Sequence, residues 1–407
     1  MGGGCSDISL IDTLSDVLYT FLSYRGRCYC FMGEALMFRH LDGSSGGGFT
    51  NRMITEIFDK NDVFIVPEGA KNNEFSVICV GGGGGSCASF VNVANFWAAN
   101  SNKIGAGGGG GWVNKNTFTL KPGESIPITI GSGGNGVEMG TSVNIYGGNG
   151  GTTSFGTYLS AAGGEGGSFR YINSRANGFY GGNGGAGGAA HSTGNNYAYG
   201  GQGYQFGGGG GDGAGGNGGT YGGGGAGENN SRGKGGTYGG NGWTPSRNST
   251  AGTNTMSNSS IDISLRGNGN AGYRFSSPNQ QFVQYYGGGG GGYGGDGGIY
   301  YGASVYCSGG GGYGANGGSV QWYGSGGGGG YGKAGYGGNS SNICAAGGGG
   351  SYGHGASSAE SATYGGGGAA YIRMISGGGI GLIAGDMVYD YSSANGANGL
   401  IIIQYQV

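Results

Sequence analysis

Alternating apolar and polar positions predict strands on the N-terminal side of the chain. In NDVFIVPEG and KNNEFSVICV, the apolar residues Phe64 and Val66, and then Phe75, Val77 and Cys79, occupy every second position. A strand that is buried on one face has this period of two. The two segments predict a pair of strands joined by a turn at Pro-Glu-Gly.

The same pattern recurs further along the chain and at its C-terminal end. FTLKPGESIPITIG places Pro122 and Gly123 where a type II turn needs them. Residues 150–164 (GGTTSFGTYLSAAGG) predict a further strand or pair of strands, and residues 369–376 (AAYIRMIS) another one. The last nine residues, GLIIIQYQV, predict a closing strand with one apolar face formed by Ile401, Ile403, Tyr405 and Val407.

A different period marks the first part of the sequence. In residues 6–24, apolar residues are three and four positions apart, at Ile8, Ile11, Leu14, Val17, Leu18, Phe21 and Leu22. This spacing predicts a short amphipathic N-terminal helix. Its apolar stripe either packs on its own domain or docks on a partner, which includes a homo-oligomer formed through residues 6–24.

Between the strand-rich ends, runs of glycine alternate with short bulky inserts. From 287 to 368, four tyrosines that close a glycine run (Tyr293, Tyr313, Tyr331 and Tyr352) are 20, 18 and 21 residues apart. Such a period indicates an internal repeat. Residues 163–242 carry similar glycine runs, and 243–286 form a break with fewer glycines.

Glycine makes up 117 of the 407 residues, about four times its usual share of roughly 7%. A disordered glycine-rich polymer is one interpretation. The 12% aromatic and 9% charged residues favour an ordered alternative, because tyrosine, valine and isoleucine are interleaved with the glycines. This alternative is a bundle of polyglycine II helices, with three residues per turn and backbone hydrogen bonds between neighbouring helices.

The expected fold class is therefore mainly β plus polyglycine II. A β-sandwich framework would carry a bundle of threefold glycine helices. The predicted organisation has four parts: an N-terminal helical docking segment (1–48), a β-sandwich framework (49–162), a polyglycine II bundle with aromatic loops (163–368) and C-terminal strands that close the sandwich (369–407).

Charge and hydropathy exclude several classes of function. The net charge is −2 and no basic patch is present, so we expect no nucleic-acid binding. No apolar run approaches the length of about 18 residues that a membrane span needs. Asp7, Asp12 and Asp16 interrupt the start of the chain, so we expect no secretory signal. Seven scattered cysteines argue against a disulfide framework and favour synthesis in a reducing cytosol.

Residues suited to catalysis or metal binding are dispersed. Cys5, Cys28, Cys30 and His40 could form a zinc site on paper, but C-x-C is not the usual spacing, which favours small buried side chains instead. His191 and His354 have no evident partner. Asp212 and Asp296 lie in GGDG settings that suggest turns or caps of the bundle. We expect no enzyme activity, no cofactor and no metal.

The bulky inserts are the strongest indication of function. They would form the loops at the ends of the glycine helices, and loops rich in tyrosine, tryptophan, serine and asparagine are typical of adaptable binding surfaces. The candidate receptor-binding residues are Tyr197, Tyr300, Tyr301, Tyr306, Trp322 and Tyr323. The alternative is that these aromatic residues only pack the ends of the bundle.

The succession of VFIVPEGAKNNEFSVICVGGGGG, TFTLKPGESIPITIGSGG, GGTTSFGTYLSAAGG, GGGGGGYGG and GLIIIQYQV resembles the glycine-rich proteins of tailed bacteriophages and prophages of gut Firmicutes. The chain is also similar in plan to phage tail-tip adhesins. The resemblance covers residues 49–407, and residues 1–48 depart from the expected tail-attachment module.

The resemblance implies a virion protein of the phage tail. Such a protein would be a tail-fibre or receptor-binding adhesin, with a host surface glycan or protein and other virion tail proteins as partners. The alternative is a purely structural capsid or tail decoration, or a self-assembling filament protein.

Overall fold

The computed structural model describes the chain in separate stretches. The longer ones are 19–24, 27–32, 52–89, 103–139, 144–173, 176–192 and 197–244. The shorter ones are 247, 249–252, 271, 274–275, 289–290, 295–301, 307–311, 313, 315–321, 324–330, 337–338, 340–341, 344–345, 347–349, 354–357, 361–367, 369–375 and 388–407.

The described residues are mostly β and contain almost no helix. A single 3-10 turn spans Lys71–Asn73. The strands are β1 Tyr19–Tyr24, β2 Arg27–Met32, β3 Met53–Phe58, β4 Asp62–Ile65, β5 Glu74–Val80, β6 Cys87–Ser89, β7 Lys103–Ala106, β8 Val113–Thr119, β9 Ser125–Thr129, β10 Val137–Met139, β11 Ile145–Tyr146, β12 Thr153–Phe155, β13 Leu159–Ala161, β14 Ser168–Asn173, β15 Ala176–Tyr180, β16 Ala190–Ser192, β17 Tyr197–Tyr199, β18 Asp212–Ala214, β19 Gly227–Ser231, β20 Arg274–Phe275, β21 Tyr300–Tyr301, β22 Val320–Gln321, β23 Gly324–Ser325, β24 Ser340–Ser341, β25 Cys344–Ala345, β26 Ala370–Ile375, β27 Val388–Ser393 and β28 Leu400–Gln406.

Two four-stranded sheets enclose the main apolar core. One has the order β3-β28-β5-β8 and the other β13-β12-β9-β4, and all their pairings are antiparallel. Phe64 of β4 lies 5.8 Å from both Phe75 of β5 and Phe155 of β12, measured between ring centroids. Phe75 in turn lies 5.0 Å from Tyr405 of β28. The aromatic rings therefore join the two sheets.

The predicted alternation is confirmed in this core. Phe64, Val66, Phe75, Val77 and Cys79 are all buried in one cluster. Ile401, Ile403 and Tyr405 join the same cluster, whereas Val407 is 40% exposed. The two strands predicted around Pro-Glu-Gly exist, but β4 and β5 lie in different sheets, so the turn crosses from one sheet to the other.

The predicted turn at Pro122 and Gly123 also connects the two sheets, since it follows β8 and precedes β9. Gly123 has a φ of 77°, and the Glu124 amide donates to the Lys121 carbonyl at 3.0 Å. This is the geometry of a type II turn, which needs a positive φ at its third residue. Residues 150–164 form the predicted pair, β12 and β13.

The N-terminal prediction was wrong for residues 19–24. These residues form β1, which pairs antiparallel with β2 in the register Thr20↔Phe31 and Leu22↔Tyr29. The aromatic and β-branched residues of YTFLSY and RCYCFM favour strands, and this local preference outweighs the helical spacing that continues from the preceding residues. Residues 6–18 lie outside the described part of the chain.

Glycine segments fill the space between the short strands of the remaining sheets, and their backbone hydrogen bonds follow a regular order. Gly208 and Gly211 both donate to the segment 326–330, with N–O distances of 2.7 and 2.9 Å. Gly209 and Gly210, between them, donate to Gly223 and Gly201 instead. Every third amide of the segment therefore points to the same neighbouring segment.

The segment 81–86 shows the same order. Gly82 and Gly85 donate to the segment 147–151, while Gly83 and Ser86 donate to Ala397 and Ala394. Neighbouring glycine segments approach each other too closely for side chains to fit between them. A Cβ atom added at Gly108 would lie 1.9 Å from the Gly84 carbonyl oxygen, and one at Gly210 would lie 2.2 Å from that of Gly188.

A period of 20 residues appears in the pairing of the C-terminal glycine region. β21, β22 and β24 are parallel neighbours in the register Tyr300↔Val320↔Ser340. β23 and β25 pair Gly324 with Cys344. The repeat predicted from the tyrosine spacing therefore corresponds to successive parallel strands.

Within the described residues, no helix has the length and hydrophobicity needed to cross a bilayer.

Candidate functional site

The sequence-predicted contact residues are distributed over two sheets. Tyr197 begins β17, where its register partner across the strand pair is Gly178 of β15. Tyr300 and Tyr301 form β21, which belongs to a different sheet. Tyr306, Trp322 and Tyr323 lie outside the described residues. The structure therefore does not bring the six together in one sheet.

A groove lies on the six-stranded sheet β11-β14-β15-β17-β18-β19 and on the glycine segments that continue its strands. Register aligns one row of residues across the sheet. Tyr146 is paired with Ser168, Ser168 with Tyr180, Tyr180 with Tyr199, and Tyr199 with Ala214. We call this row, Tyr146, Ser168, Tyr180, Tyr199 and Ala214, the tyrosine row.

Ring stacking orders the middle of the tyrosine row. The rings of Tyr180 and Tyr199 are stacked at 4.8 Å with an angle of 7° between their planes. The Arg170 guanidinium lies 4.8 Å from the centroid of the Tyr180 ring, which is a cation–π arrangement. Tyr146, at the end of the row, is 56% exposed. The row therefore combines a fixed stack with one accessible ring.

A second row lies three residues away along each segment, after the tyrosine-row residue in four segments and before it in the segment of the antiparallel strand β14. It consists of Asn149, Glu165, Asn183, Gln202 and Asn217, and we call it the amide row. Each member is separated from its counterpart in the tyrosine row by three positions in the sequence. This constant offset fits the order of the backbone hydrogen bonds, in which every third residue faces the same way.

Hydrogen bonds to neighbouring segments fix the amide row. Oδ1 of Asn149 accepts from the Gly166 amide at 2.9 Å, and Oδ1 of Asn183 accepts from the Gln202 amide at 2.8 Å. Oδ1 of Asn217 accepts from the Lys234 amide at 2.9 Å. Nδ2 of Asn183 donates to Oε2 of Glu165 at 2.7 Å. Each asparagine side chain therefore supplies an acceptor to the next segment.

A family model described as a glycine-rich domain matches residues 60–304, which is more than half of the chain. The chain belongs to this glycine-rich domain family. No curated protein matches the sequence. Both rows of the groove lie inside the matched region.

The groove of this glycine-rich domain has the volume of a ligand site. Its volume is about 790 Å³, within the range of roughly 300–1,000 Å³ that is usual for ligand sites. Among the residues described as lining it, Glu165 carries the carboxylate and Arg170 the positive charge. Glycoside hydrolysis by the common mechanism needs two facing carboxyl groups, and these lining residues supply one.

In the part of the chain that the structure describes, no three His, Cys, Asp or Glu side chains are grouped so that they could bind a metal ion. Burial raises the pKa of Cys79 and of Cys87 to about 12, so both remain protonated thiols at neutral pH. Cys28 and Cys30 lie in β2, while Cys5 and His40 lie outside the described residues.

The remaining singled-out residues are dispersed in the structure too. His191 lies in β16 opposite Gly105, and Asp212 begins β18. The Asp296 amide donates to Oδ1 of Asn316 at 2.9 Å. His354 Nδ1 lies 3.2 Å from the Gly355 carbonyl oxygen.

Sequence reasoning missed the groove, although a signal for it exists. Asn149, Asn183 and Asn217 each occupy the centre of a GGNGG motif, and they are 34 residues apart. A polar residue at this repeated position marks the outward side of each segment. Tyrosine three residues before Asn149 and before Asn183 marks the neighbouring row.

Proposed function

We propose that this glycine-rich domain protein is a host-recognition adhesin of a tailed-phage virion, a tail-fibre or receptor-binding component. The observation that carries the proposal is the order of backbone hydrogen bonds. Because every third amide faces the same neighbour, the glycine segments form a rigid array that presents non-glycine residues in fixed rows. A rigid scaffold with aromatic and amide-bearing surfaces is suited to recognition.

The architecture that we propose for this scaffold is a bundle of polyglycine II helices mounted on a β-sandwich. Three residues per turn and hydrogen bonds to other segments are the properties of this helix, and the bonding of 81–86 and 207–211 supports the assignment. The apolar core shared by β3-β28-β5-β8 and β13-β12-β9-β4 supports the sandwich.

Recognition would use the ends of the segments as well as the groove. The six residues predicted from the sequence remain our proposed receptor contacts, although Tyr197 lies in the short strand β17 and Tyr300 and Tyr301 form β21 rather than a loop. The other three are Tyr306, Trp322 and Tyr323. Tyrosine and tryptophan supply large contact areas with a polar group at the tip, which suits a host surface glycan or protein. The N-terminal segment would join the protein to other tail proteins or to copies of itself.

Adsorption of the purified protein to cells tests the proposal. Fluorescently labelled protein is mixed with a panel of gut Firmicutes strains, and the cell-bound fraction is measured against unlabelled competitor. We expect saturable binding to some strains and none to others. A protein that is incorporated into virions but adsorbs to no strain, including strains that the phage infects, would instead be a structural decoration.

A further inference from the structure

We propose that the groove formed by the tyrosine row and the amide row binds an extended glycan chain. The proposal rests on the proposed adhesin function and gives its ligand a chemical class. Neighbouring strands are spaced by about 4.8 Å, and three residues of a threefold glycine helix rise by about 9 Å. The two rows therefore form a regular lattice of side chains on one face, which suits a ligand with regularly repeated groups.

Apolar contact would come from the tyrosine row. Tyr146 is 56% exposed, and its ring can stack on the C–H face of a sugar. Tyr180 is held between Arg170 and Tyr199, so it cannot turn away from its position. An aromatic ring that is fixed before binding loses little conformational entropy when a ligand arrives.

Directional bonds would come from the amide row. The Oδ1 atoms of Asn149 and Asn217 are used by backbone amides of neighbouring segments, which leaves the two NH₂ groups as outward donors. The exposed Gln202 side chain supplies both a donor and an acceptor in the same row. Sugar hydroxyls can accept from the NH₂ groups of Asn149 and Asn217, and they can both accept from and donate to the Gln202 amide.

Arg170 sets the charge that the groove prefers. Its guanidinium carbon lies 4.8 Å from the centroid of the Tyr180 ring, and its exposed side chain lines the groove, where its N–H groups can donate to a ligand. Oε2 of Glu165 accepts a hydrogen bond from Nδ2 of Asn183. An acidic sugar would contact Arg170 in addition to the two rows, whereas a neutral sugar would use the tyrosine row and the amide row alone.

The lining argues against a peptide ligand. A peptide that adds to a sheet needs an unpaired strand edge. Of the tyrosine row only Tyr146 lies in an edge strand, the two-residue β11, whereas Ser168, Tyr180, Tyr199 and Ala214 lie in strands that are paired on both sides. A peptide side chain needs an apolar pocket, and the groove is lined by tyrosine, amide and charged residues together with glycine backbone. A polyhydroxylated chain needs neither an unpaired strand edge nor an apolar pocket, because its hydroxyl groups can bond to the amide and charged side chains of the groove.

The test uses an array of neutral and uronic-acid-containing bacterial oligosaccharides, with titration calorimetry on the strongest binder. The groove variants are Tyr146→Ala and Arg170→Ala, both at exposed positions. The matched control is Tyr158→Ala, an exposed tyrosine on the sandwich side of the chain. Thermal unfolding checks that all three variants fold like the wild type.

We expect Tyr146→Ala to weaken glycan binding about tenfold, which equals about 1.4 kcal/mol, and Tyr158→Ala to leave it unchanged. A loss with Arg170→Ala that is confined to acidic glycans identifies the charged contact. Equal binding by wild type and Tyr146→Ala, or binding to no glycan on the array, would overturn the groove assignment. If cells were still bound under either result, the adhesin proposal would survive without this ligand.

Discussion

The two-sheet core and the glycine segments use different sources of stability within one chain. In the core, Phe75, Phe155 and Ile401 are fully buried, and apolar side chains from both sheets fill the space between them. In the glycine segments no side chain intervenes, and carbonyl oxygens lie where a Cβ atom would be. Apolar burial stabilises the first region, whereas paired backbone groups allow the second to be buried without penalty.

This difference changes what each region tolerates. A core accepts another apolar residue of similar volume, because shape can be repacked. The inward positions of the glycine segments hold glycine or a small residue such as the buried Ala186 and Ala226, while the outward positions of the amide row hold larger polar side chains. The glycine region can therefore carry recognition residues on its surface without any change to its interior.

Removing a large side chain from the core has the largest expected effect. Phe155→Ala should lower the free energy of unfolding by about 3–5 kcal/mol, because it leaves a cavity among Phe64, Ile126 and their neighbours. Val63 lies in β4 of the same sheet and is 51% exposed. Val63→Ala should therefore cost less than about 0.5 kcal/mol. Chemical denaturation of both variants measures the difference, and equal losses would contradict the role of the core.

Adding a methyl group to a glycine segment should have the second-largest effect on stability. Gly108→Ala places Cβ 1.9 Å from the Gly84 carbonyl oxygen, so the segments must separate, at a cost of about 1–3 kcal/mol.

Gly69→Ala is the matched control for that variant. No atom lies within 4 Å of its Cβ position, and only its φ of 88° is unfavourable for alanine. It should therefore cost about 1 kcal/mol. If denaturation showed Gly108→Ala to be no more destabilised than Gly69→Ala, close backbone approach would not be the source of stability.

Removing an amide acceptor should have a smaller effect. Asn217→Ala leaves the Lys234 amide without its acceptor, which should cost about 0.5–1.5 kcal/mol. Asn217→Asp keeps an oxygen at this position and should recover most of the loss. Thermal unfolding compares the two, and an alanine variant as stable as the aspartate variant would show that the bond contributes nothing.

Much of the sheet framework could be predicted from the sequence, because alternation in 62–66 and 74–79 reports the face that is buried between the two sheets. The prediction of one apolar face for the last strand was incomplete, because β28 is buried on both faces and its Leu400 and Ile402 pack with Ile78 and Val80 in a second cluster. The sheet that each strand joins could not be predicted, since β4 and β5 show the same alternation and yet lie on opposite sides of the core. The strand β1 was missed because helical spacing in the preceding residues extends into YTFLSY.

The candidate site was less accessible to prediction than the fold. The bulky inserts drew attention to Tyr300 and Trp322, whereas the groove is built from single residues separated by glycines. Tyr146, Tyr180 and Tyr199 share one row only through the pairings of 146 with 168, 168 with 180 and 180 with 199, whose partners are 12 to 22 residues apart in sequence. The repeated GGNGG motif carries the offset of three residues, but its meaning depends on backbone hydrogen bonds between segments, in which every third amide faces the same neighbour.

Hydrogen–deuterium exchange of the full chain, followed by mass spectrometry, tests the central contrast most directly. The peptide 207–220 contains a glycine segment, and the peptide 74–80 contains β5 of the core. If backbone bonds between segments hold the glycine region together, amides of 208–211 should be protected to the same order as those of β5. Exchange of 207–220 at the rate of an unfolded peptide, with 74–80 still protected, would contradict the account.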